Sequence, residues 1–152
     1  VIIKNKLDKT FGPFGSSAGF FLLLGGLAAA YFSLAGIIIA IIGAFAAFTS
    51  TSTYIDTDNK KIRHTDNLFG IIPVGKWITI KPDMKLGLGK AHRGYVGYVR
   101  GAQPVDIHYT DIRIFLYNSS NQKLMPVNKF DSLATSKKEL ETLGALLGLQ
   151  IV

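Results

Sequence analysis

From Thr10 to Ile55 the chain runs for 46 residues without an Asp, Glu, Lys, Arg or His. So long a stretch without charge cannot offer water a normal polar surface, and it belongs in a lipid bilayer. At about 1.5 Å per helical residue, the strongly apolar part from Gly12 to Phe48 would form a rod of roughly 55 Å, against a hydrocarbon core of about 30 Å. Two spans fit where one does not. The break is legible at Tyr31-Phe32-Ser33-Leu34-Ala35-Gly36, where two aromatics suited to the headgroup level precede a small polar residue and a glycine. The expected organisation is an N-terminal arm over residues 1–13, a transmembrane helical hairpin over 14–50 (spans Phe14 to Phe32 and Leu34 to Ser50), and a β domain over 51–152.

A cleaved signal peptide is the competing reading, since Lys4, Lys6 and Lys9 precede the apolar stretch and Ala44-Phe45-Ala46 has a small-x-small form. The apolar segment is far longer than the roughly 7 to 15 residues of a signal core, which favours retention in the membrane. Cations flank both expected spans, at Lys4 to Lys9 and at Lys60, Lys61 and Arg63, and none lies in the turn between them. That bias expects both termini on the cytoplasmic side. The chain has no cysteine, which fits a reducing compartment and barely tests it.

The hairpin lacks the polar groups that a transport path needs at membrane depth, offering only Ser16, Ser17, Tyr31 and Ser33 near the expected ends. Small residues instead recur at helical spacing: Gly15 and Gly19, Gly26 and Ala30, Gly36, Ala40 and Ala44, with Gly43 and Ala47 beside them. Such faces let helix backbones approach closely, either within the hairpin or against another subunit.

Beyond Thr51 the composition turns polar and basic, with 14 Lys and Arg against 9 Asp and Glu, a net of +5. Strand signals dominate: Thr53 to Asp56, Lys61 to Leu68, Lys76 to Lys81, a pair near Met84 to Leu88 and Tyr95 to Arg100, then Val105 to Leu116 and Lys123 to Val127. The glycine-rich Gly87 to Gly94 reads as the loop separating that pair. The apolar phase switches near Thr110-Asp111, which predicts a bulge or strand break. Ser136-Lys137-Lys138-Glu139 has capping-box form, Leu140, Leu143 and Leu147 make one apolar stripe, and Gly148 suits a left-handed helix end. The fold class expected is α+β.

Tyr54-Ile55-Asp56 before Lys61-Ile62-Arg63, then Phe69-Gly70 and Gly75-Lys76-Trp77-Ile78, together with the helix from Ser136 to Leu149, resemble the bacterial pleckstrin-homology-like domain. That resemblance implies a six- or seven-stranded split β-barrel capped by a C-terminal helix, directly preceded by two transmembrane segments. It implies a non-catalytic role and no cofactor. A membrane-linked oligonucleotide-type barrel, like those of flotillin-partner proteins, is an alternative that does not require the closing helix.

Chemistry-bearing motifs are scarce. His64, His92 and His108 lack metal-ligand spacing, and Gly89-Lys90 fails as a phosphate loop because Met84 and Ala91 stand at obligatory positions. Trp77 and Tyr54 read as core residues. The best recognition candidates are Lys85, Lys90, His92, Arg93, Tyr95, Tyr98 and Arg100, where cations attract anionic groups and tyrosines can stack. The function expected is a membrane-anchored accessory or scaffold subunit that binds a partner within a larger membrane complex. An anionic-lipid-binding module is the alternative, and nucleic acid is the weaker option.

Overall fold

The structure, a computed structural model, describes residues 1–98, 100, 101 and 103–152. Its elements run β1 (Ile2–Lys9), α1 (Gly12–Ala30), α2 (Ala35–Phe48), β2 (Ser50–Asp56), β3 (Lys61–Leu68), β4 (Ile72–Val74), β5 (Ile78–Thr79), β6 (Lys85–Gly97), β7 (Val105–Tyr117), β8 (Lys123–Phe130), α3 (Leu133–Leu147) and β9 (Gln150–Ile151). The chain is α+β, with a five-stranded sheet ordered β1-β2-β3-β4, where β5 also pairs with β3, and a four-stranded sheet ordered β8-β7-β6-β9. The N-terminal arm is therefore a strand. Two compact units result, one of residues 1–7, 52–64 and 75–152, the other of residues 8–51 and 65–74.

The first unit is built on an apolar core contributed by Ile55, Ile62, Leu86, Ile114, Leu116, Val127 and the α3 stripe Leu140, Leu143 and Leu147. The stripe is buried as its spacing requires, and Gly148 ends the helix at φ 69°. The helix starts one turn earlier than the capping-box pattern suggests. Ser132 occupies the cap without a side-chain bond, while Ser136 lies inside, buried, its Oγ donating to the Leu133 carbonyl at 2.8 Å. The core face of α3 extends back to Ser136, so packing overrides the local capping signal. Deleting the Leu143 side chain, 2% exposed, should cost about 2 to 5 kcal/mol in a Leu143→Ala unfolding titration, since the site is lined on every side.

Two expectations for the sheet are corrected. Gly87 to Gly94 is not a loop but part of β6, paired residue by residue with β7 from Lys85↔Tyr117 to Gly97↔Val105. Its glycines make room for aromatic rings of the neighbouring strand: a Cβ at Gly87 would lie 2.9 Å from the Tyr117 ring, and one at Gly89 would lie 2.9 Å from the Phe115 ring. Nor does the phase switch at Thr110-Asp111 break the strand, because Ala91↔Asp111 and His92↔Thr110 continue the β6 register. The irregularities fall later, opposite β8, between Ile114 and Phe115 and between Leu116 and Tyr117. Residues before Asp111 lie beyond the core, so their apolar pattern does not report a buried face. Val99, within the strand expected from Tyr95 to Arg100, lies outside the described residues.

Trp77 is also displaced from its expected place. It is 40% exposed, and the Arg63 guanidinium sits 4.7 Å from its ring centroid and 5.2 Å from that of Tyr54. Stacking an arginine on two rings occupies aromatic faces without burying the cation in an apolar core.

In the second unit α1 and α2 form a helical hairpin. Helix α1 spans about 28 Å and is long and apolar enough to cross a membrane, while the 14 residues of α2 span about 21 Å. The contact is made by the small residues: a Cβ at Gly26 would collide with the Ala40 backbone, one at Gly36 with that of Ala30, one at Gly19 with Ala47 and one at Gly43 with Leu23. Gly15 instead faces Phe11, and Ala44 is only half-buried. At the hairpin's base, Phe45 meets Phe11 at 5.6 Å and Phe69 at 5.5 Å, edge to face. Thr49 ties these segments together, its Oγ1 donating to the Phe45 carbonyl at 2.6 Å and accepting from the Phe69 amide at 3.3 Å.

Gly25, one residue from the contact, faces open space. Gly26→Leu should therefore separate the helices and lower detergent-phase stability by about 1 to 3 kcal/mol, whereas Gly25→Leu should leave the melting transition where it is. Equal responses would mean that the contact does not hold the hairpin.

Candidate functional site

Strands β6 and β7 extend past the rest of their sheet. β8 accompanies β7 only from Ile112 to Tyr117, and β9 accompanies β6 only at Lys85 and Leu86, so among the described residues 91–97 and 105–111 pair only with one another. The result is a two-stranded ribbon with both edges open, a form that is marginal alone and suited to a partner.

Five of the seven candidate residues lie along or beyond this ribbon, with Lys90 one residue before it, but they do not converge. Side chains alternate along a strand, so Lys90 and His92 occupy the face that continues the core side of Leu86 and Leu88, while Arg93 and Tyr95 occupy the opposite face. Lys85 lies at the far end, its Nζ donating to the Asn121 side chain at 3.0 Å. Ten residues separate Lys85 from Tyr95, roughly 33 Å of strand. Tyr98, 83% exposed, and Arg100 lie beyond the end of β6. His92 Nδ1 is 3.1 Å from Thr110 Oγ1 across the ladder, and the ring of His108 lies against Gly94.

The Arg93 face carries the denser chemistry. Arg93 Nη1 donates to the Tyr95 hydroxyl at 3.4 Å, and Tyr95 meets Tyr109 edge to face at 6.1 Å. On the same face, nearer the sheet, Arg113 grips Asp111 through two bonds of 2.7 and 2.6 Å, and Lys129 Nζ approaches Asp111 Oδ2 at 3.6 Å. Three cations thus surround one carboxylate. The Arg113 hydrogen bonds, and then the charges of Arg113, Lys129 and Arg93, hold the Asp111 carboxyl below its ordinary pKa despite the opposing effect of burial. A net positive surface bordered by two phenols is chemically suited to recognising anionic groups. Arg113 and Lys129 escape a linear reading because they sit on different strands, yet Asp111 and Arg113 are two apart in a strand, a spacing that places them on one face.

Among the described residues no three His, Asp or Glu side chains gather where they could hold a metal ion. The three histidines are separated: His64 is 3.2 Å from Thr53 Oγ1, far in sequence from the ribbon pair His92 and His108. No protein-family model, curated protein or solved structure matches the chain.

Because Asp111 titrates lower when folded than when unfolded, its stabilising contribution is full above the unfolded-state value of about 3.9 and fades as pH falls through the folded value. Wild type should lose stability over that acidic window more steeply than Asp111→Asn. At neutral pH, Arg113→Met should cost about 3 to 5 kcal/mol by leaving a buried carboxylate underpaired, and adding Asp111→Asn should restore much of the loss. Denaturant midpoints of the four proteins, measured across pH, check both statements.

Proposed function

We propose that this chain is a membrane-anchored, non-catalytic accessory subunit, in which α1 and α2 lie in the bilayer as a hairpin and a pleckstrin-homology-like β unit presents the β6–β7 ribbon to a protein partner. The observation that carries the reading is the outward face of the hairpin. Gly19, Gly26, Gly36, Ala40, Gly43 and Ala47 are buried in the mutual contact, while Phe21 at 75% exposure, Ile38 at 63%, Leu27 at 57% and Ile42 at 55% are left with no protein to cover them. A continuous apolar belt of this kind is a liability in water and ordinary in lipid. The turn extends it, since Tyr31, Phe32 and Leu34 are all more than 80% exposed, with aromatics where an interface would accept them.

The second half of the reading is supported by the open-edged ribbon, which offers unpaired backbone groups for strand addition beside a basic, tyrosine-bearing face. The helix α3, buried through Leu140, Leu143 and Leu147, favours a pleckstrin-homology-like closure over an oligonucleotide-type barrel. Charge flanking the hairpin favours both termini in the cytoplasm, and the resemblance to bacterial domains suggests that the membrane is a bacterial inner membrane.

Single cysteines at Lys6, Ser33 and Asn121 test the arrangement in intact cells. An impermeant thiol reagent added outside should label only the Ser33 variant, and the chain should stay with membranes through alkaline extraction. Labelling at Asn121, or release by alkali, would sink the anchored topology. The same membranes, solubilised in mild detergent, should yield a complex larger than the chain alone, and that excess should be lost when Tyr95 and Tyr109 are both replaced by Ala.

A further inference from the structure

Where α1 begins, Lys9, Ser16, Ser17, Phe20, Phe21, Ala47 and Phe48 line an open groove of about 450 Å³. Its chemistry is divided along its length. Ser16 and Phe20, and likewise Ser17 and Phe21, are four residues apart on α1, so each hydroxyl lies one turn from a phenyl ring on the same side of the helix. Polar groups and a cation thus occupy one end, with apolar walls leading away from them.

The two serines are not equivalent. Ser17 satisfies itself in the way usual for apolar helices, its Oγ donating to the Pro13 carbonyl four residues back at 2.8 Å. Ser16 is only 4% exposed, and its Oγ has no hydrogen-bond partner. Burying a hydroxyl without a partner is unfavourable, and in an apolar helix the carbonyl four residues back normally offers relief. Helix α1 also begins without a side-chain cap, its Ncap being Phe11, so the positive end of its dipole is not neutralised by an acidic residue in the first turn.

We infer that this groove is a site for one acidic phospholipid, with Lys9 and the Ser16 hydroxyl meeting the headgroup phosphate and Phe20, Phe21 and Phe48 flanking an acyl chain. The inference rests on the membrane-anchored reading above. Phosphate oxygens accept from both hydroxyl and ammonium donors, and a phosphodiester supplies the charge that Lys9 and the helix start attract. A neutral apolar occupant would leave Ser16 unsatisfied, and a free anion would leave the phenyl walls uncovered.

The test uses the full chain in phosphatidylcholine nanodiscs titrated with phosphatidylglycerol, with bound lipid counted by native mass spectrometry after release into detergent. One phosphatidylglycerol should remain on the wild type in preference to phosphatidylcholine. Lys9→Gln should reduce that retention about tenfold and Ser16→Ala several-fold, in line with the loss of a charged and a neutral hydrogen bond, while Lys9→Arg should restore it. Lys138→Gln, remote in sequence, should change nothing. Inorganic phosphate in excess should fail to displace the lipid. Displacement by phosphate would overturn the lipid assignment in favour of a simple anion site. Equal retention of both lipids, or full retention by the two loss variants, would overturn the site while leaving the anchor intact. Failure of the wild type to enter nanodiscs at all would overturn the anchor itself.

Discussion

Close approach of α1 and α2 through Gly19, Gly26, Gly36 and Gly43 is the contact on which the apolar half of this protein depends. A side chain at any of these positions would meet backbone, which cannot move aside as a flexible side chain can. Because the small residues face inward, nearly every bulky apolar side chain faces outward. The inversion of the usual order, with large residues outside and small ones in the contact, makes lipid the fitting solvent on the reading proposed here. It also leaves the base of the hairpin as the place where polar groups meet apolar ones, with Thr49, Lys9, Ser16 and Ser17 all within it.

In the β unit a different constraint governs. Ile114 and Leu116 of β7 and Leu86 of β6 are fully buried beneath α3, which fixes one half of the long β6–β7 pair. The other half carries the register onward without a core. Regular pairing at Ala91↔Asp111 is thereby maintained past the point where burial would enforce it, and the ribbon inherits its geometry from the buried half. Asp111 and Arg113 mark the boundary, a bidentate pair shielded from water just where the core gives way to exposed strand. The carboxylate there offsets part of the positive charge of Arg93, Arg113 and Lys129, and the balance remains cationic.

Much of this was legible in the linear chain because it depends on local spacing. The two helices, the turn between them, the Leu140-Leu143-Leu147 stripe and its glycine stop all follow from residues a few positions apart. The candidate site was legible only in part. Lys90, His92, Arg93 and Tyr95 are adjacent in sequence, yet alternation divides them between two faces, and the partners that complete the Arg93 face come from β7 and β8. Trp77 shows the same limit: its strand-like surroundings suggest a core residue, but its ring is exposed and stacked by the Arg63 guanidinium.

By itself the sequence determined where charge is absent, an uncharged run of 46 residues, and where small residues recur at helical spacing within it. Tertiary structure alone decided the rest. Glycines from Gly87 to Gly94 have the composition of a loop, and they became a strand because the rings of Phe115 and Tyr117 cover Gly89 and Gly87 from the next strand. Ser16 and Ser17 are the same residue type in the same helix turn, and only one of them is left without a hydrogen bond. The strand at Gly87 to Gly94 turns on contacts between residues far apart in the chain, whose energies exceed local preference and leave no local trace.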